Sequence, residues 1–356
     1  MEFSVKKFDL LQELSLTQGV VERKTTIPIL GNILCEASGN HITLTATDLE
    51  LSIRTSCEAK VKKEGAGTIP AKKLLELVRL LPEGDIRFKL LENNWVQILA
   101  DRKTYKMVGM AKDNFPAIPA FPHPIAKIPA KILSSLIART AFAISNEESR
   151  YTLNGALLLL KPEAVTMVAT DGHRLAVAEI DHKFEGLTRE VRPLVPKKAL
   201  AEVLRLASEA GEDAEIEFAL DESHLFFRAG ERLLISRMLT GQFPNYEAVL
   251  PRDNNRKVVI ERGELNDAVK RVAQLADTRS HAVKLSVSKE GIEISASSPE
   301  YGEAKETIEK EGPGRAIVSD TVRSHANDPF FVKKNQEAKE ALSKNRPIHS
   351  QKEMIL

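Results

Sequence analysis

The segments Ala46-Thr47-Asp48 and Ala169-Thr170-Asp171 carry the same three residues, 123 positions apart. Two further marks recur in the same order. Ile69-Pro70-Ala71-Lys72-Lys73-Leu74 returns as Val195-Pro196-Lys197-Lys198-Ala199-Leu200, an offset of 126, and Phe115-Pro116 returns as Phe243-Pro244, an offset of 128. Self-similarity at a nearly fixed period indicates a chain built from similar structural units, here of about 120 residues each.

The 356 residues accommodate three such units, because one hydrophobic core rarely grows beyond about 250–300 residues. We predict domain I at 1–121, domain II at 122–251 and domain III at 252–356. Proline-rich segments join them, at 115–122 between domains I and II and at 243–251 between domains II and III. Proline restricts the chain, so these linkers are expected to fix the domain geometry.

Each unit is predicted to contain two helices and several short strands. Helices are expected near residues 8–14, 72–81, 130–143, 197–210 and 260–275, where apolar residues recur at helical spacing. Strands with period-two alternation lie between them, for example at 41–46 and 164–169, and Gly65-Ala66-Gly67 is interpreted as a turn. Strand runs interrupted by single helices predict an α+β fold with antiparallel sheets.

The third unit is predicted to be incomplete. It keeps the pattern to about residue 311 and loses it after about 315. Residues 316–356 are polar, and the end Lys352-Glu353-Met354-Ile355-Leu356 follows no convincing strand. We expect disorder or a lone solvated helix there. A frameshift, a truncation or an assembly error near residue 315 is our hypothesis for its origin.

Bulk composition limits the function classes. The formal net charge is only +1, which argues against tight, sequence-reading DNA binding. The chain has no apolar run of about 18 residues and no apolar signal segment at its start, so no membrane span and a cytoplasmic location are expected. Cys35 and Cys57 are expected to be buried thiols. Trp95 is expected in a core or an interface, which is favoured over a role in base stacking.

Cations recur on the predicted helices. If the units circle an axis, these side chains would line one surface and contact phosphates without reading sequence. Solvated helix faces are the alternative interpretation. The candidates are Lys72, Lys73 and Arg79 in domain I, Arg139, Lys197, Lys198 and Arg205 in domain II, and Lys270 and Arg271 in domain III.

Asp171 and His173 stand two residues apart and invite an acid–base or metal hypothesis. No Ser or Cys nucleophile motif and no further carboxylate cluster accompanies them, and Asp-Gly is a strong turn signal. A structural turn is therefore favoured over a catalytic site.

Five segments resemble one known family, the bacterial DNA sliding clamp or β subunit of the replicative DNA polymerase III. They are Thr26-Ile27-Pro28-Ile29-Leu30-Gly31-Asn32, Ala46-Thr47-Asp48-Leu49-Glu50, Arg150-Tyr151-Thr152-Leu153-Asn154-Gly155, Ala169-Thr170-Asp171-Gly172-His173-Arg174-Leu175-Ala176 and Gly241-Gln242-Phe243-Pro244-Asn245-Tyr246. The resemblance implies the DNA clamp fold. Three repeated domains of two helices packed on antiparallel sheets would form a ring from two subunits, with helices lining the hole.

The same resemblance implies binding sites and partners. Arg23 and Lys24 would lie in a DNA-contacting loop. A peptide-binding groove would be formed by Leu153, Thr170, Gly172, His173, Arg174, Leu175, Pro244 and Val249, with Arg150 and Tyr151 nearby as a gate. Implied partners are duplex DNA, the replicative polymerase catalytic subunit, the clamp loader, other polymerases and repair proteins with clamp-binding motifs, and a second copy of the chain. No cofactor and no metal are expected.

The predicted function is therefore a non-catalytic processivity clamp that encircles duplex DNA and tethers the polymerase through short peptides. Two alternatives stay open. A defective, monomeric clamp would bind peptides without closing a ring. A DNA-processing enzyme using Asp171 and His173 would need a carboxylate cluster for metal ions, which the sequence does not offer.

Overall fold

The computed structural model describes residues 1–21, 26–147, 149–211, 213–250, 260–288 and 291–309, together with the backbone of 353–355. Within these ranges the chain forms α-helices and antiparallel sheets, as predicted. In domain I the order is β1 (Glu2–Lys6), α1 (Lys7–Thr17), β2 (Asn32–Ser38), β3 (His41–Thr47), β4 (Leu51–Glu58), β5 (Lys60–Lys63), β6 (Gly65–Pro70), α2 (Ala71–Leu80), β7 (Asp85–Leu90), β8 (Trp95–Ala100) and β9 (Lys103–Val108).

Domain II repeats this order without a counterpart of β5 among its described residues, and domain III begins it again. Domain II contains β10 (Ala126–Pro129), α3 (Ala130–Thr140), β11 (Gly155–Lys161), β12 (Ala164–Thr170), β13 (Leu175–Asp181), β14 (Leu194–Pro196), α4 (Lys197–Ala210), β15 (Glu215–Leu220), β16 (His224–Ala229) and β17 (Arg232–Arg237). Domain III contains α5 (Arg262–Val272), β18 (Lys284–Val287), β19 (Gly291–Ser298), β20 (Gly302–Glu309) and β21 (Glu353–Ile355).

Proline marks the start of three helices. Pro70, Pro129 and Pro196 each end a strand and directly precede α2, α3 and α4. Proline fits this place because its fixed φ suits entry into a helix and the first helical N–H groups have no intrahelical partner. Helix α5 starts differently, since the Glu261 side chain accepts hydrogen bonds from the backbone N–H groups of Gly263 and Glu264.

Domains I and II share one continuous sheet. Its eight strands run β10-β15-β16-β17-β4-β3-β2-β6, and β17 of domain II pairs antiparallel with β4 of domain I. The remaining sheets are β5-β1-β7-β8-β9 in domain I, β13-β12-β11-β14 in domain II and β20-β19-β18-β21 in domain III. The shared sheet makes the contact between domains I and II an extension of secondary structure.

The largest core follows this arrangement. One cluster of buried apolar residues includes Leu14 and Leu74 of domain I and Leu136 and Leu206 of domain II. A separate cluster around Leu265 and Ile294 forms the core of domain III. Full burial of one such side chain contributes about 1.5–3 kcal/mol, so helix packing on the sheets is the main stabilising contact.

Several short strands were not predicted. β1, β5, β10 and β14 have three to five residues each, which is too short for a periodic pattern to be visible. The predicted turn at Gly65-Ala66-Gly67 is wrong, because these residues belong to β6 and pair with β2. A glycine-rich strand forms here because backbone pairing with β2 supplies the contacts that its side chains do not.

The end of the chain also differs from expectation. The backbone of Glu353–Ile355 forms β21 and pairs antiparallel with β18. Such pairing is possible because the edge of β18 offers backbone groups that a short extended segment can pair with. The expectation that no convincing strand precedes the end 352–356 falls on residues outside the described ones. The predicted polar tail up to residue 352 and the frameshift hypothesis lie outside the described residues.

Trp95, Cys35 and Cys57 differ in how deeply they are buried. Trp95 is 42% exposed, so its predicted core position is wrong, and an interface role stays a prediction. Cys35 is buried, as predicted, whereas Cys57 is only half-buried, and both are free thiols. Burial raises the pKa of both thiols, that of Cys57 to about 12. Among the described residues no helix is long and apolar enough to cross a membrane.

Candidate peptide groove and cationic helices

The segment 170–174 forms a tight turn between β12 and β13. Asp171 Oδ1 accepts hydrogen bonds from the backbone N–H groups of His173 and Arg174 at 2.9 and 3.0 Å. Thr170 Oγ1 accepts from the N–H of Gly172 at 3.0 Å and donates to the carbonyl of Arg174 at 2.6 Å. Gly172 has φ +87°, a conformation that glycine adopts without steric cost.

Domain I contains the same turn. Asp48 Oδ1 accepts from the N–H groups of Glu50 and Leu51 at 2.9 and 2.6 Å, and Thr47 Oγ1 accepts from the N–H of Leu49 at 3.0 Å. Leu49 takes the place of Gly172 at φ +79°, where a leucine is strained. Two turns with the same bonds and different outer residues indicate that Thr-Asp is needed for folding.

This geometry gives Asp171 a structural role. Partial burial by itself would raise its pKa, but the two backbone hydrogen bonds and the charge of Arg174 lower it below its ordinary value. A carboxylate held ionised and bonded to its own backbone is a poor proton donor or shuttle. Within the described part of the chain no group of three His, Cys, Asp or Glu side chains could hold a metal ion.

An apolar cluster lies beside this turn. Leu153, Leu157, Leu159, Val168 and Leu194 come from domain II, and Phe243 and Tyr246 from the linker pack on them, with Leu175 partly buried at the margin. The linker thus covers one face of the sheet β13-β12-β11-β14.

A cleft of about 570 Å³ opens where the linker meets this cluster. Its lining residues are Leu157, Arg192, Leu194, Gly241, Gln242, Phe243, Pro244, Asn245, Tyr246 and Glu247. Gly241 approaches the segment before β11 closely, because a Cβ there would lie 2.6 Å from Thr152 Cγ2. The 170–174 turn, residues 151–153 and the linker are therefore neighbours around one apolar surface.

Thr170 and Arg174 bond to each other within the turn, and the other six predicted groove residues divide into two groups of three. Leu153 and Leu175 belong to the apolar cluster, and Pro244 lines the cleft. Gly172 and His173 are exposed in the turn, and Val249 is 39% exposed at the far end of the linker. The role of each in peptide binding stays a prediction.

Arg150 and Tyr151 stand at the edge of the turn. Arg150 Nη1 donates to the carbonyl of Asp171 at 2.8 Å, and its Nε pairs with Glu147 at 2.8 Å. Arg174 lies 5.8 Å from the ring centroid of Phe142. Tyr151 is 73% exposed, which excludes ordinary core packing, while its gating role stays a prediction.

Sequence reasoning missed the residues that form the floor of the cleft. Leu157 and Leu194 face the linker, and Phe243 and Tyr246 anchor it. A signal existed in Gly155–Lys161, which reads as an unbroken apolar run instead of an alternating one. Such a run predicts a strand buried on both faces, and hence a second layer over the sheet.

The predicted cations on α2 and at the start of α4 are exposed. Lys72 and Lys73 contact Glu76 at 4.0 and 3.0 Å, Arg79 donates to Gln18 at 3.3 Å, and Lys197 donates to Asn146 at 2.6 Å. Exposed pairs of this kind contribute little, so these side chains can exchange partners. Arg139 is half-buried and Lys270 is exposed, whereas Arg271 is bonded through two nitrogens to Glu306. Arg23 and Lys24 lie outside the described residues.

The buried positions of α2 and α4, the second helices of domains I and II, correspond at a different offset from the one that the sequence gives. Leu74, Leu75 and Val78 are buried in α2, and Ala199, Leu200 and Val203 are buried in α4, an offset of 125 and not 126. Arg205 therefore occupies the place of Leu80, a residue 84% exposed in domain I. The offset of 126 between Pro70 and Pro196 would instead pair Arg205 with Arg79.

Two of the predicted cations take part in the junction between domains I and II. Lys198 Nζ pairs with Asp48, whose side chain is buried. Arg205 Nη2 donates to the carbonyls of Ser15, at 2.6 Å, and Leu16 near the end of α1. A cation near the C-terminal end of a helix is favourable, because the last carbonyls lack intrahelical partners.

Repeated pairs of helices on antiparallel sheets, with neighbouring domains joined edge to edge, define the class of DNA clamps. Models of three domains of the DNA polymerase III β subunit match the chain in succession, the N-terminal domain over residues 1–119, the central domain over 127–245 and the C-terminal domain over 247–318. The chain belongs to this family, the bacterial β sliding clamps. The family is a processivity factor of DNA replication and is not itself an enzyme.

Individual relatives agree over most of the chain. The beta sliding clamp of Pseudomonas aeruginosa is 34% identical over 317 residues, which cover 88% of this chain and 85% of the relative. The beta sliding clamp of Chlamydia pneumoniae is 32% identical, with coverages of 93% and 88%. Among solved structures, the P. aeruginosa clamp bound to griselimycin superposes with a TM-score of 0.82 at 33% identity, covering 88% of this chain and 85% of that one. The Bacillus subtilis clamp gives 0.82 at 27%, with coverages of 87% and 84%.

Proposed function

We propose that two copies of this chain close head to tail around duplex DNA and hold a DNA polymerase there through short peptide segments. The domains would be 1–121, 122–251 and 252–356, and the protein would act in the cytoplasm. The observation that carries the proposal is the junction between domains I and II, because the same junction can be repeated between two copies.

The repeat identifies the strands that would form the second junction. Strand β4 of domain I corresponds to β20 of domain III, and β17 of domain II corresponds to β9 of domain I. β9 and β20 are both edge strands, so each presents backbone groups without a strand partner among the described residues. Pairing β20 of one copy with β9 of the other would reproduce the β4–β17 contact. Two such contacts close a symmetric dimer.

The helices support the same arrangement. Arg205 crosses the internal junction from α4 to the end of α1. Leu80 holds the corresponding place on α2 and is 84% exposed in a single chain. An apolar side chain so exposed at a repeated contact position is explained if a second copy covers it.

The predicted DNA-facing cations would contact phosphates without reading bases. Lys72, Lys73 and Lys197 are exposed at the start of the second helices. A net charge of +1 suits a ring that slides, because enclosure replaces strong binding. Lys198, Arg205 and Arg271 are engaged within the chain, so they would contribute to the electrostatic field more than to direct contacts.

The groove at the 170–174 turn would receive the peptides. Its apolar floor, with Leu153 and Leu175, can accept an aliphatic or aromatic anchor, and a rigid linker forms one wall. The replicative polymerase, the clamp loader, and other polymerases and repair proteins that carry such peptides are the proposed partners.

Light scattering tests ring formation. A mass of about twice 39.4 kDa is expected for the chain. Leu80→Glu should shift this mass toward the monomer, whereas the control Val249→Glu should leave the mass unchanged and lower affinity for a fluorescent clamp-motif peptide. A monomeric parent chain that still binds the peptide would support the defective-clamp alternative.

A primer-extension assay tests the activity itself. The chain should lengthen the products of a clamp-dependent polymerase on closed circular template without altering nucleotide or DNA substrates alone. If the chain cleaves DNA and His173→Ala abolishes that cleavage, the enzyme alternative would be favoured. In the same preparation, His173→Ala with Arg174→Ala should weaken peptide binding, and an unchanged affinity would count against the groove assignment.

A further inference from the structure

The sheet β5-β1-β7-β8-β9 has a face that turns away from the helices. In β7, Ile86 and Phe88 are buried in the core, so the alternate residues Arg87 and Lys89 point outward. Trp95 in β8 points outward by the same alternation, because Val96 and Ile98 are buried. We call this surface the outer face of domain I.

Strand register places cations side by side on the outer face. One row across the sheet reads Lys63, Glu2, Lys89, Gln97 and Lys106. The next row reads Lys60, Ser4, Arg87, Leu99 and Thr104. Neighbouring strands are about 4.8 Å apart and residues two apart on a strand about 7 Å, so five cations share one small surface.

Neighbouring acids compensate these cations only in part. Lys60, Lys63, Arg87, Lys89 and Lys106 form no ion pair with a residue of the described ranges, and all five are exposed. Glu2 pairs with Lys62 at 3.1 Å. Asp85 and Asp101 line the same pocket as Arg87, and Asp85 and Glu58 line the same pocket as Lys60. The hydrogen bond from Lys62, with the charge of Lys89, lowers the pKa of Glu2. Positive charge is therefore least compensated along the row that contains Lys63, Lys89 and Lys106.

The corresponding face of domain II is built differently. There Arg228 is bonded to Glu217 at 2.6 Å and lies 3.9 Å from the ring centroid of Phe121. The linker residues Ile118 and Phe121 cover an apolar cluster around Phe226. In domain II this face is used for packing. The repeat therefore does not by itself require an uncovered cationic face in domain I.

The exposed Trp95 side chain indicates which kind of polyanion the outer face would bind. It lies one row beyond Lys89 and Lys106 on the same face, next to exposed Val108. An acidic peptide would use the cations but has no need of an exposed indole, whereas a single strand of DNA offers phosphates for the cations and a base to stack on the ring. Duplex DNA keeps its bases inside the helix and cannot stack on it.

We propose that the outer face of domain I binds single-stranded DNA. Phosphates would contact Lys60, Lys63, Arg87, Lys89 and Lys106, and one base would stack on Trp95. The site is separate from the helices and from the peptide groove. Lys106 lies on β9, the edge strand that ring closure would pair with β20 of the second copy, so the variants are read on the monomer and the dimer alike.

Trp95 is the only tryptophan, which makes its fluorescence a local reporter. Titration of the full chain with an oligothymidylate at low salt should quench this fluorescence, and duplex DNA should quench it much less. If five phosphates are contacted, the binding constant should fall about 100-fold between 50 and 200 mM salt, from a slope of about −0.7 per phosphate.

Matched variants separate the outer face from exposed cations elsewhere. Lys89→Ala with Lys106→Ala should reduce the salt slope by about 1.4, whereas Lys183→Ala with Arg189→Ala, at exposed positions of domain II, should leave the quenching curve unchanged. With a labelled oligonucleotide, Trp95→Ala should weaken binding about tenfold. Three results would overturn the proposal: no quenching, equal loss in the two double variants, or a polyglutamate peptide that competes as well as the oligonucleotide. The last would mark an acidic-peptide site instead.

Discussion

The contact between Arg232 and Glu13 should contribute strongly to the stability of the joined domains I and II. Arg232 donates from Nη2 to Glu13 Oε1 at 2.6 Å and from Nε to Oε2 at 3.0 Å, and Thr55 also donates to this carboxylate. The two charged side chains are only 15% and 7% exposed. The Glu13 hydrogen bond also raises the pKa of Arg232, so the guanidinium stays charged.

Arg232→Ala leaves the Glu13 carboxylate buried without its counter-ion. Removing one partner of a buried pair costs about 3–5 kcal/mol, because the remaining charge keeps its desolvation penalty. We expect a loss of this size in the free energy of unfolding, measured by urea denaturation followed by circular dichroism. The variant should still fold, since the core and the β4–β17 pairing are untouched.

Arg237→Ala is the matched control. Arg237 and Glu50 join the same two domains at 3.4 Å, but their side chains are 58% and 68% exposed. Such a pair is worth at most about 1 kcal/mol. Equal losses in the two variants would refute the argument that burial sets the cost. The double variant Arg232→Met with Glu13→Leu should recover most of the lost stability, because no charge is left buried.

Three further predictions concern the turn and the thiols. Gly172→Ala should lower the free energy of unfolding by about 1–2 kcal/mol and weaken peptide binding. The reason is that φ is +87° and the new Cβ would lie 2.8 Å from Arg150 Nη1. Gly172→Asn should have a smaller effect, because asparagine tolerates this φ better. The pKa of Asp171 is lowered, so its ionised form stabilises the turn fully above the ordinary value of 3.8, and this stabilisation is lost as pH falls through the folded pKa. Amide NMR shifts in the turn should therefore titrate only below about pH 4. A midpoint at pH 5 would contradict this. Cys35 and Cys57, both with raised pKa, should resist a thiol reagent at pH 8 in the native protein and react fully in denaturant; fast native labelling would show that the β2–β4 region opens.

Much of the fold could be predicted from the sequence. The helix at 197–210 was predicted with the observed bounds, because α4 has a strong apolar stripe, a preceding proline and a glycine after it. Long alternating strands such as β3 were also predicted. Short strands such as β1 and β10 were not, because three to five residues show no period and are strands only through their pairing.

The candidate site was predicted in part. The Thr-Asp turn and Leu153 follow from local residues and from family resemblance. Phe243 and Tyr246 were missed as parts of the cleft, because a linker sequence does not say which surface it covers. The use of Arg205 was also not visible, since its partner carbonyls are about 190 residues away in the chain.

The sequence by itself determined the repeat, the α+β class and the family, because these depend on residue order and local periodicity. Only the tertiary structure decided which cations remain available to bind a partner. Lys198 and Arg205 are engaged in the junction, while Lys89 and Lys106 stand uncovered on the outer face. The physical reason is that periodicity tells whether a side chain faces its own core or away from it. What meets an outward side chain is set by distant segments, whose positions depend on how whole sheets pair.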